Sequence, residues 1–140
     1  MIRQRIYLPE YRWTIYAYYA VSCYYADEIM EHLYDIDVEP KFAKQAEENL
    51  TSGKLDTGLT YSNYRRRKSV MVIALTSSAA EFFNSLDHEK KHVEAHITQA
   101  RRLNPYGEKT AYLSGELAMA MYPQVKHLMC DCCRKNLIEK

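Results

Sequence analysis

"SVMVIALTSSAAEFFNSLDHEKKHVEAHI", residues 69–97, carries two hydrophobic periods back to back. Val70 to Leu75 is apolar at every position, as expected of a strand covered on both faces. From Ala79 onward the period changes. Phe82, Leu86, Val93, Ile97 and Ala100 fall within one narrow stripe at 100° per residue, the mark of a helix packed along one side. Between the two periods, Ser78-Ala79-Ala80-Glu81 matches a capping box, which fixes where the helix begins. It is expected to run to about Leu103, where Asn104-Pro105-Tyr106-Gly107 breaks it.

Working outward, Ser69 to Thr76 has a partner candidate in Leu59 to Tyr64, with the basic run Arg65-Arg66-Arg67-Lys68 between them. Trp13 to Ser22 alternates with a period of two and is rich in aromatic residues, so it reads as a further strand. Asp27 to Tyr34 and Pro40 to about Leu50 have helical spacing, and Pro40 suits a first turn. A final helix is expected from about Glu108 to Leu128, with Pro123 a kink or an early end. These elements predict one α+β domain over residues 1–140, a short β-sheet packed against the long helix and a following C-terminal helix.

Lys and Arg together number 19 against 18 Asp and Glu, so the chain has no global pull toward nucleic acid or an anionic membrane. Pro9, Glu10 and Arg12 interrupt the apolar run an export signal needs, and the uncharged stretch from Trp13 to Ala26 is short for a membrane span. A cytoplasmic protein with no membrane association is expected. Its four cysteines, Cys23, Cys130, Cys132 and Cys133, then read as reduced thiols. The last three could take up a soft metal ion, but no second ligand pair stands at finger or ribbon spacing.

Function must therefore sit in a local site, and the long helix offers one. Glu89 falls inside the packed stripe, which is costly for an ionised carboxylate unless a cation or hydrogen-bond donors meet it. His88, His92 and His96 line one edge of that stripe. His88-Glu89-Lys90-Lys91-His92 is His-Glu-x-x-His: two imidazoles one turn apart can share a zinc ion, and the carboxylate can hold a water and accept its proton. A catalytic zinc needs a third protein ligand. Glu108 is the first choice, since the turn at 104–107 reverses the chain and Ala111 and Gly115, on nearly the same face, are small enough for close helix approach. Glu116 comes second and His96 third. Asp87 is a candidate acceptor for a histidine ring nitrogen. Tyr106 and Tyr112 are candidate donors to an oxyanion.

His88-Glu89-x-x-His92 followed by Glu108-x-x-Ala111-Tyr112 resembles the gluzincin type of zinc metallopeptidase, especially small intracellular or mobile-element members, over roughly residues 68–120. The resemblance implies a zincin-like fold with His88, His92 and Glu108 as Zn2+ ligands and Glu89 as general base. The implied activity is hydrolysis of a peptide or protein substrate through a zinc-bound water. It also implies that an edge strand ahead of the helix, Leu59 to Tyr64 or Ser69 to Thr76, could pair with an extended peptide. Two alternatives stand beside it. One is a catalytically inactive zincin-like binding or structural accessory protein. The other is a small nucleic-acid-binding module using residues 61–68, where Tyr61 and Tyr64 flank the basic run. Exposed tyrosines near the N-terminus could form a homodimer patch.

Overall fold

The run from Val70 to Ala74 is apolar and buried because its strand lies inside the sheet with helices on both faces; Leu75 lies past the strand's end and is exposed. The computed structural model describes residues 1–138, the side chains of 136–138 aside. Four strands, β1 (Ile2–Leu8), β2 (Trp13–Val21), β3 (Gly58–Asn63) and β4 (Lys68–Ala74), form one sheet in the order β1-β2-β4-β3. β1 with β2 and β3 with β4 are antiparallel hairpins, and β2 with β4 is the parallel pair that joins them. The helices are α1 (Ala26–Asp35), α2 (Pro40–Ser52), α3 (Ala79–Ala100), α4 (Glu108–Val125) and α5 (Asp131–Ile138).

Alternate residues of β4 feed two separate cores. Met71 and Ile73 join Trp13, Ile15 and Tyr19 beneath Phe82, Val93 and Ile97 of α3 and Leu113 and Leu117 of α4. Val70 and Val72 face the other way, onto Ile29 and Leu33 of α1 and Leu50 of α2. The α+β class holds, and the sheet is covered on two faces rather than by the long helix and its successor alone. Among the described residues no helix is long and apolar enough to cross a membrane.

Three elements depart from the sequence expectation. β1 carries Arg3, Arg5 and Tyr7 outward and Ile6 and Leu8 inward, and its third inward position is polar. That residue, Gln4, is held by the Tyr19 hydroxyl and the Ala120 carbonyl, so the alternation is disguised. α4 runs through Pro123, whose exposed side of the helix lets water meet the carbonyl deprived of its N–H partner, and ends at Val125 instead of Leu128. α5 then follows as a separate helix. The basic run forms the tip of the β3–β4 hairpin, with Arg67 at φ 55° and Arg66 donating to the Asp35 carbonyl and the Asp37 carboxylate. This is the ordinary behaviour of a solvated turn.

Candidate metal centre

α3 starts where its cap dictates. Ser78 accepts from the Glu81 N–H at 3.2 Å, and the Glu81 carboxylate accepts from the hydroxyls of Ser77 and Ser78, which lowers its pKa below the usual value. Phe82, Leu86, Val93 and Ile97 then turn onto the sheet, and Glu89 goes with them, 3 % exposed. Its carboxylate is met by hydroxyls. Thr57 Oγ1 donates to Oε2 at 2.6 Å and Thr60 Oγ1 to Oε1 at 2.9 Å, so each oxygen has a donor. Gly58 between them is forced by geometry: at φ 148° a side chain there would put its Cβ 1.8 Å from the Val72 carbonyl oxygen and 3.2 Å from Glu89 Cγ. Only glycine lets β3 cross directly over the carboxylate.

His88 and His92 stand on the solvent side of this lock. Their Nε2 atoms are 3.3 Å apart, and His88 Nε2 is 3.9 Å from Glu89 Oε2. For an N–H···N bond that separation is long. Two nitrogens bound to one tetrahedral zinc at 2.0–2.1 Å each lie about 3.3–3.4 Å apart, so the pair already has the spacing two corners of such a site require. The histidine pair fits a zinc ion; the rest of the ligand set is another matter.

His96 continues the row, its ring 6.4 Å from that of His92. Its Nδ1 is 2.6 Å from Ser62 Oγ, Ser62 Oγ is 2.6 Å from Ser69 Oγ, and the Trp13 indole N–H donates to Ser69 at 2.8 Å. Trp13 can only donate, and Ser69 is fully buried with no other acceptor among its described hydrogen bonds, so its proton goes to Ser62 and the Ser62 proton to His96 Nδ1. His96 is therefore neutral with its proton on Nε2. Burial, then the neighbouring His92, lowers its pKa in the same direction. A ring in that tautomer is a hydrogen-bond donor toward the site, not a ligand.

The two carboxylates considered as third ligand lie elsewhere. α4 packs against the flank of α3 that carries Lys90 and Glu94: Lys90 Nζ donates to Ser114 Oγ at 3.0 Å and forms an ion pair with Glu94. At 100° per residue, Lys90 and Glu94 are about 160–240° round α3 from His88 and His92, so α4 is on the opposite side. α4 buries Leu113, Leu117, Met121 and Val125; Glu108, Ala111, Gly115 and Glu116 are exposed. The close approach expected at Ala111 and Gly115 is not made, since a Cβ on Gly115 would meet nothing within 4 Å. Asp87 is engaged by Lys91 at 2.7 Å rather than by a histidine ring. Tyr106 and Tyr112 are 95 % and 74 % exposed, and Tyr112 lies on α4. Among the described residues no three His, Cys, Asp or Glu side chains gather as a metal-holding set.

Sequence reasoning missed Thr57, Thr60 and Ser62. A signal was present: Gly58, Thr60 and Ser62 alternate along β3 and so share the face toward α3, a row of small and hydroxyl residues where a sheet face is usually apolar. Among the described residues β3 is also the sheet's edge, paired with β4 alone, whereas β4, expected over Ser69 to Thr76 and running from Lys68 to Ala74, is interior. No protein-family model, curated protein or solved structure matches the chain.

Proposed function

We propose that His88, His92 and Glu89 form the core of a zinc-dependent peptidase centre acting on a peptide or protein substrate. The 3.3 Å spacing of the two Nε2 atoms supports this reading most directly, because it is the separation one shared zinc ion demands. Bound there, zinc would supply Lewis acidity and bring hydroxide within reach near neutral pH. The chain's own contribution is placement. Thr57 and Thr60 hold the Glu89 carboxylate in one orientation beside the histidines, where it can take a proton from a nucleophilic water and pass it to a leaving amine. The free edge of β3, directly above, offers main-chain hydrogen bonds to an extended peptide. Glu108 would serve as the third ligand on this reading only if the first turn of α4 crossed from the far flank of α3.

A second reading has its own support: both Glu89 oxygens are already satisfied by threonine hydroxyls, and among the described residues no third donor stands beside the histidines. That describes a zincin-like accessory or binding protein in which Glu89 ties α3 to β3. Metal content and hydrolysis of a peptide mixture separate the two. The peptidase reading expects about one zinc per chain, lost in His88→Ala and His92→Ala, and turnover abolished by Glu89→Gln with zinc retained. Zinc-loaded protein as inert as Glu89→Gln would leave the accessory reading; absence of zinc binding would remove the metal centre altogether.

A further inference from the structure

The start of α5 is fastened to the start of α3 by two residues. The Ala79 N–H donates to the Asp131 carboxylate at 2.8 Å. The buried Arg134 guanidinium donates to the carbonyls of Ser77, at 3.0 Å, and Thr76. These anchors stand among three thiols, Cys130 just before Asp131 and Cys132 and Cys133 between the two. Cys130 accepts the first intrahelical bond, from the Arg134 N–H at 2.9 Å, and so occupies the N-cap, with Cys133 three residues on. N-cap and third-turn-residue side chains face one another, which is the relation a capping box uses. Here both are cysteines, at the N-cap and three residues on. Cys130 is exposed and Cys133 partly so, and neither is in a disulfide. Cys132 lies between them, about 200° round the helix from the N-cap position, and cannot pair with Cys130 without unwinding the first turn.

The two thiols are unequal. The backbone N–H of Cys133, its thiol and the Cys132 N–H, all at the helix start, hold the Cys130 pKa below the usual thiol value, and Cys130 in turn raises that of Cys133. An accessible thiolate favoured by helix-start amides beside a second thiol is the arrangement of an attacking and a resolving cysteine.

We propose that Cys130 and Cys133 are a thiol–disulfide exchange pair that a low-molecular-weight disulfide oxidises reversibly. The Cys130 thiolate attacks one sulfur of the disulfide, forming a mixed disulfide and releasing one thiolate. Cys133, deprotonated to solvent, attacks the Cys130 sulfur, releases the second thiolate and closes the 130–133 bond. Two cysteine thiols are oxidised by two electrons, and one disulfide is reduced to two thiols, each taking up a proton. The bond closes a short loop within the turn that Asp131 and Arg134 fasten to the start of α3.

The test uses the full chain in a series of reduced-to-oxidised glutathione ratios, acid-quenched, alkylated and read by peptide mass. The expected result is a 130–133 disulfide with Cys23 and Cys132 still alkylated, unchanged in Cys132→Ser. Cys133→Ser should instead accumulate glutathione on Cys130, and faster at pH 7 than Cys130→Ser accumulates it on Cys133, because the helix-start amides that favour the Cys130 thiolate remain in the first variant. Three results would overturn the proposal: both residues alkylated at every ratio, a bond to Cys132, or equal rates in the two variants. The unsubstituted chain carries the first two, so they stand even if a variant fails to fold.

Discussion

Glu89 is the residue on which stability and the proposed chemistry meet. A buried carboxylate with both oxygens donated to is tolerable; remove one donor and the remaining charge is exposed to an apolar wall. Thr57→Val and Thr60→Val should each lower unfolding free energy by about 1–3 kcal/mol, read as a fall in the urea midpoint without a change in slope. Glu89→Gln keeps the shape, and the threonine hydroxyls can rotate to accept from the amide, so it should cost less than either threonine change while abolishing any hydrolysis. The row of hydroxyls that makes this possible was only half legible. The His-Glu-x-x-His pattern and the inward placement of Glu89 follow from spacing alone, but what meets the carboxylate depends on β3 lying across α3. No local pattern in 88–92 encodes that crossing. His96 adds a pH dependence. Its pKa is lowered in the fold, as is that of His32, whose ring is half-buried against Tyr16 and Tyr18. The unfolded chain therefore binds more protons just below pH 6.5, so stability is complete above that value and falls as pH drops toward the folded pKa values. Melting temperature should decline on acidification from pH 7, and His32→Asn with His96→Asn should flatten that decline; an unchanged slope would show that these rings do not carry it.

At the scale of elements, the strand-to-helix passage from β4 into α3 was readable to within two residues at its start because the cap, the apolar run and the stripe agree. α4 was not. Its sequence holds two candidate inner faces, the small one at Ala111 and Gly115 and the large apolar one at Leu113, Leu117 and Met121. Burial of the larger side chains dominates, since each contributes about 1.5–3 kcal/mol where Ala and Gly contribute little. That choice turns Glu108 outward, and the Lys90 contacts with Glu94 and Ser114 fix the flank. With Gly115 open to solvent, Gly115→Ala should stabilise the metal-free protein by about 0.5–1 kcal/mol, raising its thermal midpoint. A loss of stability would mean that α4 approaches a neighbour at Gly115 after all. If Glu108 does swing across to complete a site, the same substitution should weaken zinc binding while stabilising the free protein.

Across the whole molecule, one sheet divides two cores, and the candidate site sits at neither: it opens where the edge strand β3, the exposed rim of α3 and solvent come together. The second face, with α1 and α2, was legible as two helices but not as a layer, because their apolar residues do not say which side of the sheet they take. β1 was hidden by Gln4 and two arginines. The architecture predicts that ligand binding at the rim acts on the whole fold, since α3 contributes to one core along its length. Zinc at a hundredfold excess over its dissociation constant should stabilise the chain by about 2.7 kcal/mol, and His92→Ala should cancel the gain. The most direct measurement is anomalous scattering at the zinc edge from crystals grown with the metal. The account predicts a single peak about 2.0–2.1 Å from both His88 Nε2 and His92 Nε2. No peak there, with the two rings still facing one another, would contradict it.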